Sequence, residues 1–563
     1  MTIEELPKTD IWDLYERCKN YCRMLNMFKE TDDNYRMYNG NQWDGLVVKG
    51  VEPIQENFIK PIVKYKVGTI TSNLWAVNYS SENYENKEFK ETADETCDLL
   101  NLNAHKIWEK DNMDYKIKKI AKDSAINSEG IIYVNYDTEN QAPVNEILSK
   151  NNVFYGNEND SDIQSQPYIL IKKRIPVINA REEAKRYGVA EEEIEKIIGD
   201  NDYFEEAGEL AKYEKDSNVT VVTKMYKKDG KVHFEIATRY CKIKEDTDTG
   251  LTLYPIEHML WEEKEGSARG EGEVKHLIPN QQETNKILMR SALVVKLTAY
   301  QTKVVNVDKV SNPGDINRVG ATIRIKNGQT VDDVNKVVGY INPAQMSPDV
   351  EKLRTELIST TRELAGAGDI ATGEVNPEDA SGKAILAVQQ ASQQPLVEQT
   401  SSLKRFIEGL ARIWFDNLVA YSPEGITLEK EVPIPESADK EIVLQKVPSS
   451  VLEQLKISVK VDVTPKGAYD KYAQELSLEN MFKAGMFNIQ KLPELKIYVN
   501  LLDDDAVAPK TKLLKAIEMM EQTQKNIAMI NANAQLMQQQ VNSFINSDVN
   551  AQAGMANQVQ ALQ

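Results

Sequence analysis

The stretch Gly366–Ala–Gly–Asp–Ile–Ala–Thr–Gly–Glu–Val–Asn–Pro–Glu–Asp–Ala–Ser–Gly382 decides the reading of this chain, because of what stands on either side of it. Before it, a helical pattern from Glu273 to Gln301 runs into a strand-rich insertion, Lys303 to Asn342, and a second helical pattern, Pro348 to Ala365, returns. After it, the spacing predicts a helix of about forty residues, roughly 60 Å long if unbroken. The loop carries Asp369, Glu374, Glu378 and Asp379 and no base before Lys383. Held between long helices, such a loop projects into solvent or a cavity and repels a polyanion rather than gripping it.

Working outward, the helix that starts near Ser381 turns Ile385, Val388, Ala391, Phe406, Ile407, Leu410, Ile413 and Trp414 to one side. Pro395 lies inside it, and the lost backbone hydrogen bond predicts a kink there. The insertion reads as strands Lys303–Val307, Ala321–Ile325 and Val337–Ile341 with an Asn327–Gly328 turn, a small β subdomain at the end of a helical hairpin. Strands are expected again at Ile426–Leu428 and Leu455–Val463.

The N-terminal part begins with three helices. One carries Ile11, Leu14, Cys18, Cys22 and Phe28, a second Ile59 to Ile70, and a third runs from about Ala93 to Ala125. From Gly130 the pattern turns to strands: Ile131–Tyr136, Tyr168–Ile171, Val219–Tyr226 and Val232–Tyr240. Asp229–Gly230 between the last two is a hairpin signal, since both residues must take positive φ. Ala180–Ile198 reads as an amphipathic helix with Asn179 and Glu182 as a capping box. Near the other end, Leu513, Ala516, Met520, Thr523, Ile527, Ile530, Ala534, Met537, Val541 and Phe544 form a heptad stripe that calls for a partner helix. Past Asp548 the pattern fades into a tail expected to be disordered.

At 563 residues the chain is too long for one core. Its net charge of −19 argues against a wrapping nucleic-acid binder, though not against a protein that surrounds nucleic acid without holding it. No apolar run approaches the length of a membrane helix, and the acidic, polar start does not read as a signal peptide. Cys18, Cys22, Cys97 and Cys241 make no C-x-x-C pair and read as buried thiols of a reduced, cytosolic chain.

Enzyme signatures fail residue by residue. Ser381–Gly–Lys–Ala384 has Pro377 where a Walker loop needs glycine, and Ala384 where it needs Ser or Thr. Gly270–Glu–Gly272 lacks the third glycine of a dinucleotide loop. Asp246–Thr–Asp–Thr–Gly250 lacks the third ligand of a calcium loop, and Asp503–Asp–Asp505 reads as an acidic turn capping the next helix. His105, His233, His258 and His276 do not space as a metal or catalytic set. No catalytic residue, metal site or cofactor is expected. Lys286, Arg290, Lys296 and Lys303, spread along the helical hairpin, either meet phosphates or serve as a solvated face and inter-subunit ion pairs.

Four segments in this order resemble a tailed-bacteriophage portal protein, the head-to-tail connector. They are Tyr38–Asn–Gly–Asn–Gln–Trp43, Glu56–Asn–Phe–Ile–Lys–Pro–Ile–Val63, Gly270–Glu–Gly–Glu–Val–Lys–His–Leu–Ile–Pro–Asn–Gln–Gln–Glu–Thr–Asn285, and Ala380–Ser–Gly–Lys–Ala–Ile385. The resemblance covers about residues 11 to 545 and implies an α+β subunit of a ring, usually of twelve. It implies a wing at 1–280, a stem helix at 281–301, a clip at 302–347 and a second stem helix at 348–365. A tunnel loop at 366–381, a long kinked helix at 382–425, wing strands at 426–466, a crown at 467–548 and a disordered tail at 549–563 complete it. The ring would sit at one capsid vertex of the virion, after synthesis in the host cytoplasm. Double-stranded viral DNA would be packaged and ejected through it, without sequence recognition. Terminase, tail or adaptor proteins, and major capsid and scaffolding proteins would be its partners, with no membrane. On that footing Asp369, Glu374, Glu378 and Asp379 are expected to line the narrowest part of the channel. The rival readings are a packaging enzyme, which lacks a phosphate loop or carboxylate cluster, and a coiled-coil scaffold or minor virion protein without a channel, which the heptad stripe favours.

Overall fold

The computed structural model describes residues 7–43, 52–82, 87–139, 141–200, 218–326, 337–341, 346–368, 394–433 and 440–464, and parts of 478–539. The fold is α+β, with long helices and several small antiparallel sheets. The chain forms two compact units: Met1–Leu428 with Lys446–Val463, and Glu429–Gln445 with Thr464–Gln563.

In the first unit, α1 (Asp10–Met24) starts at Thr9, whose hydroxyl accepts from the Trp12 N–H. It buries Ile11, Trp12, Tyr15 and Cys22. Cys18 and Cys22 are free thiols on this inner side, and burial pushes the Cys22 thiol up to about 12. After α2 (Met27–Asn39), α3 (Ile59–Ile70) and strand β1 (Leu74–Ser81), the expected third helix is two: α4 (Lys87–Lys110) and α5 (Met113–Asn127). The break lies at Asn112, in the left-handed region at φ 52°, a conformation asparagine adopts more readily than most residues. The apolar spacing runs on across the break and so concealed it.

Two sheets follow. Strands β2 (Glu129–Asp137), β3 (Ala142–Leu148) and, later, β9 (Ile256–Leu260) form one, in the order β3-β2-β9. Strands β4 (Val153–Tyr155), β5 (Tyr168–Pro176), β6 (Asn218–Lys228), β7 (Lys231–Ala237) and β8 (Lys242–Asp248) form the other, in sequence order. The Asp229–Gly230 turn joins β6 to β7 as expected, with Asp229 at φ 52° and Lys228 opposite Lys231. Strand β7 ends at Ala237 rather than Tyr240, because Thr238 turns back and donates its N–H to the Cys241 carbonyl. Side chains alternate across the larger sheet. Phe154, Leu170 and Val222 pack against α1, whereas Val153, Tyr155, Ile169 and Ile171 pack with Ile131, Tyr133 and Leu148 of the smaller sheet. The helix expected from Ala180 starts earlier, as α6 (Val177–Arg186) after Pro176, so Asn179 lies inside it and makes no capping box. A separate short turn, α7 (Glu191–Ile194), takes up part of the remaining span.

One buried ion cluster ties the sheets together. The Arg269 guanidinium donates to Glu129 at 2.6 Å, to both Glu158 carboxylate oxygens at 2.7 and 2.8 Å, and to the Val153 carbonyl at 2.8 Å. The Glu129 side chain is fully enclosed. Burial alone would raise its pKa, but the charge of Arg269 and a hydrogen bond with His258 hold it down at about 2. The Tyr155 hydroxyl donates to the other Glu129 oxygen at 3.1 Å.

Helix α8 (Glu273–Ala299) leads to a two-stranded ribbon, β10 (Thr302–Val305) with β11 (Val338–Ile341), and α9 (Pro348–Leu364) returns beside α8. Ala321–Ile325 is not a strand. Only Ile325 pairs, in a single bridge to Val310. Helix α10 (Val397–Tyr421) buries Phe406, Ile407, Leu410, Ile413 and Trp414, as the spacing predicts. Asp416, near its end, accepts from the Thr252 and Leu253 N–H groups, both at 2.9 Å. Strand β12 (Ile426–Pro433) pairs with β13 (Lys440–Val447); after α11 (Ser449–Gln454), β14 (Ile457–Thr464) pairs with β1. In the second unit, α12 (Leu492–Leu501) packs Leu492 and Val499 against Ile517. Of the heptad stripe, Leu513, Met520, Ile527, Ile530 and Met537 are exposed in the single chain. Past residue 539 the stripe and the tail lie outside the described residues.

Replacing Arg269 with Met strands two buried carboxylates and is expected to cost roughly 3–5 kcal/mol of stability. Denaturant unfolding of the full chain checks this, and an unchanged midpoint contradicts it.

Candidate functional site: the root of the helical hairpin

Three of the four segments that carry the resemblance are far apart in sequence and meet at one place, the first half of α8. Gly272 caps this helix against the end of α5, where a Cβ would fall 2.7 Å from the Ser128 nitrogen. That contact, not a cofactor, explains the glycine. Along the helix, Glu273, Val274, Leu277, Gln281, Thr284, Asn285 and Ile287 are buried. Four of the seven are polar, and each has a partner.

Glu273 accepts from the Lys66 ammonium at 2.7 Å and from the Trp261 indole at 3.3 Å, both deep in the unit. Gln281 makes three hydrogen bonds. Its oxygen accepts from the Phe58 N–H at 3.1 Å, and its amide donates to the Glu56 carbonyl at 2.7 Å and to Asn285 at 3.0 Å. Asn285 in turn accepts from the Glu56 N–H at 3.3 Å and donates to Gln42. Gln42 donates to the Met37 carbonyl at 3.1 Å, and Asn57 donates to the Tyr38 carbonyl at 3.0 Å. On the returning helix, the Thr361 hydroxyl takes a bond from Asn280 at 2.9 Å, and Arg354 pairs with Glu56 and Glu351. Both arms of the hairpin are therefore bonded to the segment before α3. Sequence reasoning named these segments but not the bonds. The available signal was Gln281, Thr284 and Asn285, polar at the i, i+3, i+4 spacing that the apolar face of the helix should occupy.

Beyond the root the hairpin changes character. Leu293, Val295, Leu297 and Tyr300 are exposed, as are Val304, Val307, Tyr340 and Ile341 in the ribbon region. The four basic residues do not form one cluster. Lys286 and Arg290 both reach Glu283 on their own helix, at 3.3 and 3.6 Å. Lys303 donates to the Ile316 carbonyl at 3.1 Å and lies over the Tyr340 ring, while Lys296 stands in the last turn of α8.

The described residues on the two sides of 369–393 are both held in place. Gly366 sits at φ 68° and donates to the Glu363 carbonyl, and Ala367 donates to the Arg362 carbonyl, the paired bonds of a Schellman stop. A Cβ on Gly366 would lie 3.4 Å from Pro395, so the described residues on either side of that span come into contact. Ala367 and Leu396 are both buried there. Pro395 stands in a 3₁₀ turn, Gln394–Leu396, directly before α10. Asp369, Glu374, Glu378 and Asp379, with the rest of 369–393, lie outside the described residues, as does the first part of the expected kinked helix. No described helix is long and apolar enough to cross a membrane.

Gln281→Leu keeps the volume and strands the Phe58 N–H and the Glu56 carbonyl. At about 1–3 kcal/mol for each unpaired group, a loss of roughly 2–4 kcal/mol is expected in guanidinium unfolding followed by tryptophan fluorescence. A change below about 0.5 kcal/mol would show that the root does not hold the hairpin.

No curated protein matches the chain. The family model described as Phage P22-like portal protein matches residues 14–563, which takes in the root, the hairpin and the loop. The chain therefore belongs to the P22-like portal protein family, and its role is that of a phage portal protein.

Proposed function

We propose that copies of this chain close into a ring at one vertex of the capsid, and that double-stranded viral DNA is packaged and ejected through its centre. The observation that carries this reading is the contrast along the hairpin. Its root is bonded into the subunit, and its far half exposes Leu293, Val295, Leu297 and Tyr300. Exposed apolar residues on a projecting arm gain by being covered, and identical arms set side by side in a closed ring cover one another. Twelve copies is the number the resemblance implies. The ribbon region at the hairpin tip, 302–347, would meet terminase during packaging and tail or adaptor proteins afterwards, while the wing faces capsid and scaffolding proteins.

In this ring, residues 366–381 are the tunnel loop. It leaves α9 at Gly366, whose backbone stands against Pro395, so its point of departure is fixed on the subunit. Duplex DNA carries one charge per about 1.7 Å of axis, and a channel that gripped each phosphate would brake its passage. Asp369, Glu374, Glu378 and Asp379 near the axis repel the duplex over about 8 Å at physiological salt and keep it centred. Replacing these four by Asn and Gln should leave the ring assembled while altering DNA packaging, DNA retention and the conductance of the channel in a bilayer recording. If all three stay at wild-type values, the loop does not line the channel.

A further inference from the structure

We infer that the face formed by α3 and α5 is a docking surface for the phosphate backbone of double-stranded DNA. These helices pack directly on one another. Together they carry seven lysines against two aspartates, in a chain of net charge −19. Two of the lysines turn inward and are spent on structure. Lys66 pairs with Glu273, and Lys116 pairs with Asp111 and donates to the Asn145 carbonyl. Of the other five, Lys64, Lys118, Lys119 and Lys122 are exposed and Lys60 is half-buried, and among the described residues none lies within salt-bridge distance of a carboxylate. Of the two aspartates, Asp114 accepts from the Trp108 indole, and Asp123 accepts from the Tyr35 hydroxyl while its charge also faces Lys119 and Lys122, so the face keeps a net excess of lysine.

The five are positioned as a group. Lys60 on α3 and Lys122 on α5 share one aromatic ring, with their ammoniums 5.8 and 5.3 Å from the centroid of Tyr38. The two charges are therefore held within about 11 Å of each other across the helix boundary. Lys64 follows Lys60 by one helical turn, and Lys118 and Lys119 precede Lys122 by one. Like charges at these spacings destabilise a helix. A sequence with 87 acidic residues had ample means to neutralise them. A patch of five lysines over two helices, with Asp123 as the carboxylate beside two of them, keeps a net positive charge that fits a polyanion of regular charge spacing. Nothing in it reads base edges, so the contact is blind to sequence.

The inference deepens the reading above, on which it rests only for the source of the DNA. It gives the ring a place that attracts the duplex, distinct from the acidic loop that repels it. The test uses the full chain and a labelled 30-base-pair duplex of arbitrary sequence, followed by fluorescence anisotropy between about 50 and 200 mM salt. Contact with four or five phosphates gives a log–log salt slope of about −4. Changing all five lysines to Gln should weaken binding at least tenfold and flatten the slope, with no loss of thermal stability, whereas changing them to Arg should preserve both. Unchanged affinity and slope in the Gln variant overturn the inference. So does tighter binding of poly-glutamate than of the duplex at equal charge concentration, which assigns the face to an acidic protein surface instead. Electron micrographs of the same samples report ring formation separately. Rings lost with DNA binding intact would make the face a subunit interface and overturn it too.

Discussion

The structure depends on a buried polar knot at the base of one helix. Gln281 and Asn285 of α8 use their side-chain amides to hold the backbone of Glu56 and Phe58, and Asn285 passes the connection on to Gln42. Buried amides tolerate few alternative arrangements, since each unpaired group is costly in a dry interior. The knot therefore fixes the rotation of α8 as well as its position. A purely apolar root would bury similar area but would allow the helix to turn or slide. Glu273, bonded to Lys66 and Trp261 about two turns earlier in the buried face, works in the same direction.

From that base the rest follows mechanically. Helix α9 is bonded back through Thr361 and Arg354, so both arms of the hairpin leave the subunit from one anchored point. The described chain leaves α9 at Gly366 and resumes against it at Pro395. Behind these, Arg269 joins the two sheets, and Asp416 ties the end of α10 to the turn before β9. A hairpin on a rigid mount suits an assembly whose copies must place the same surfaces at the same radius.

Much of this was legible in the sequence where one local pattern decided the outcome. The turn at Asp229–Gly230, the buried side of α10 and the hairpin with its β insertion all follow from spacing and turn chemistry. Errors arose where a backbone conformation broke a pattern that the side chains continued, as at Asn112. They arose too where a neighbour outweighed a motif. Pro176 starts the helix before Asn179 is reached, and Ile325 finds one bridging partner rather than a strand. The Arg269 cluster was not legible, because its partners Glu129, Val153 and Glu158 come from separate segments and none is unusual alone. The root lay between these cases: its segments stood out, but their convergence is a property of the fold. Within one chain the basic residues of the hairpin bond locally, Lys286 and Arg290 to the same glutamate and Lys303 to the Ile316 carbonyl.

The central claim is that this chain closes into a ring around a channel. Native mass measurement of the purified protein, joined to electron-microscope images of the same sample, tests it most directly. At 63.8 kDa per chain, twelve copies give a particle of roughly 770 kDa with a central hole. A monomer, or an open filament without a hole, would contradict the account.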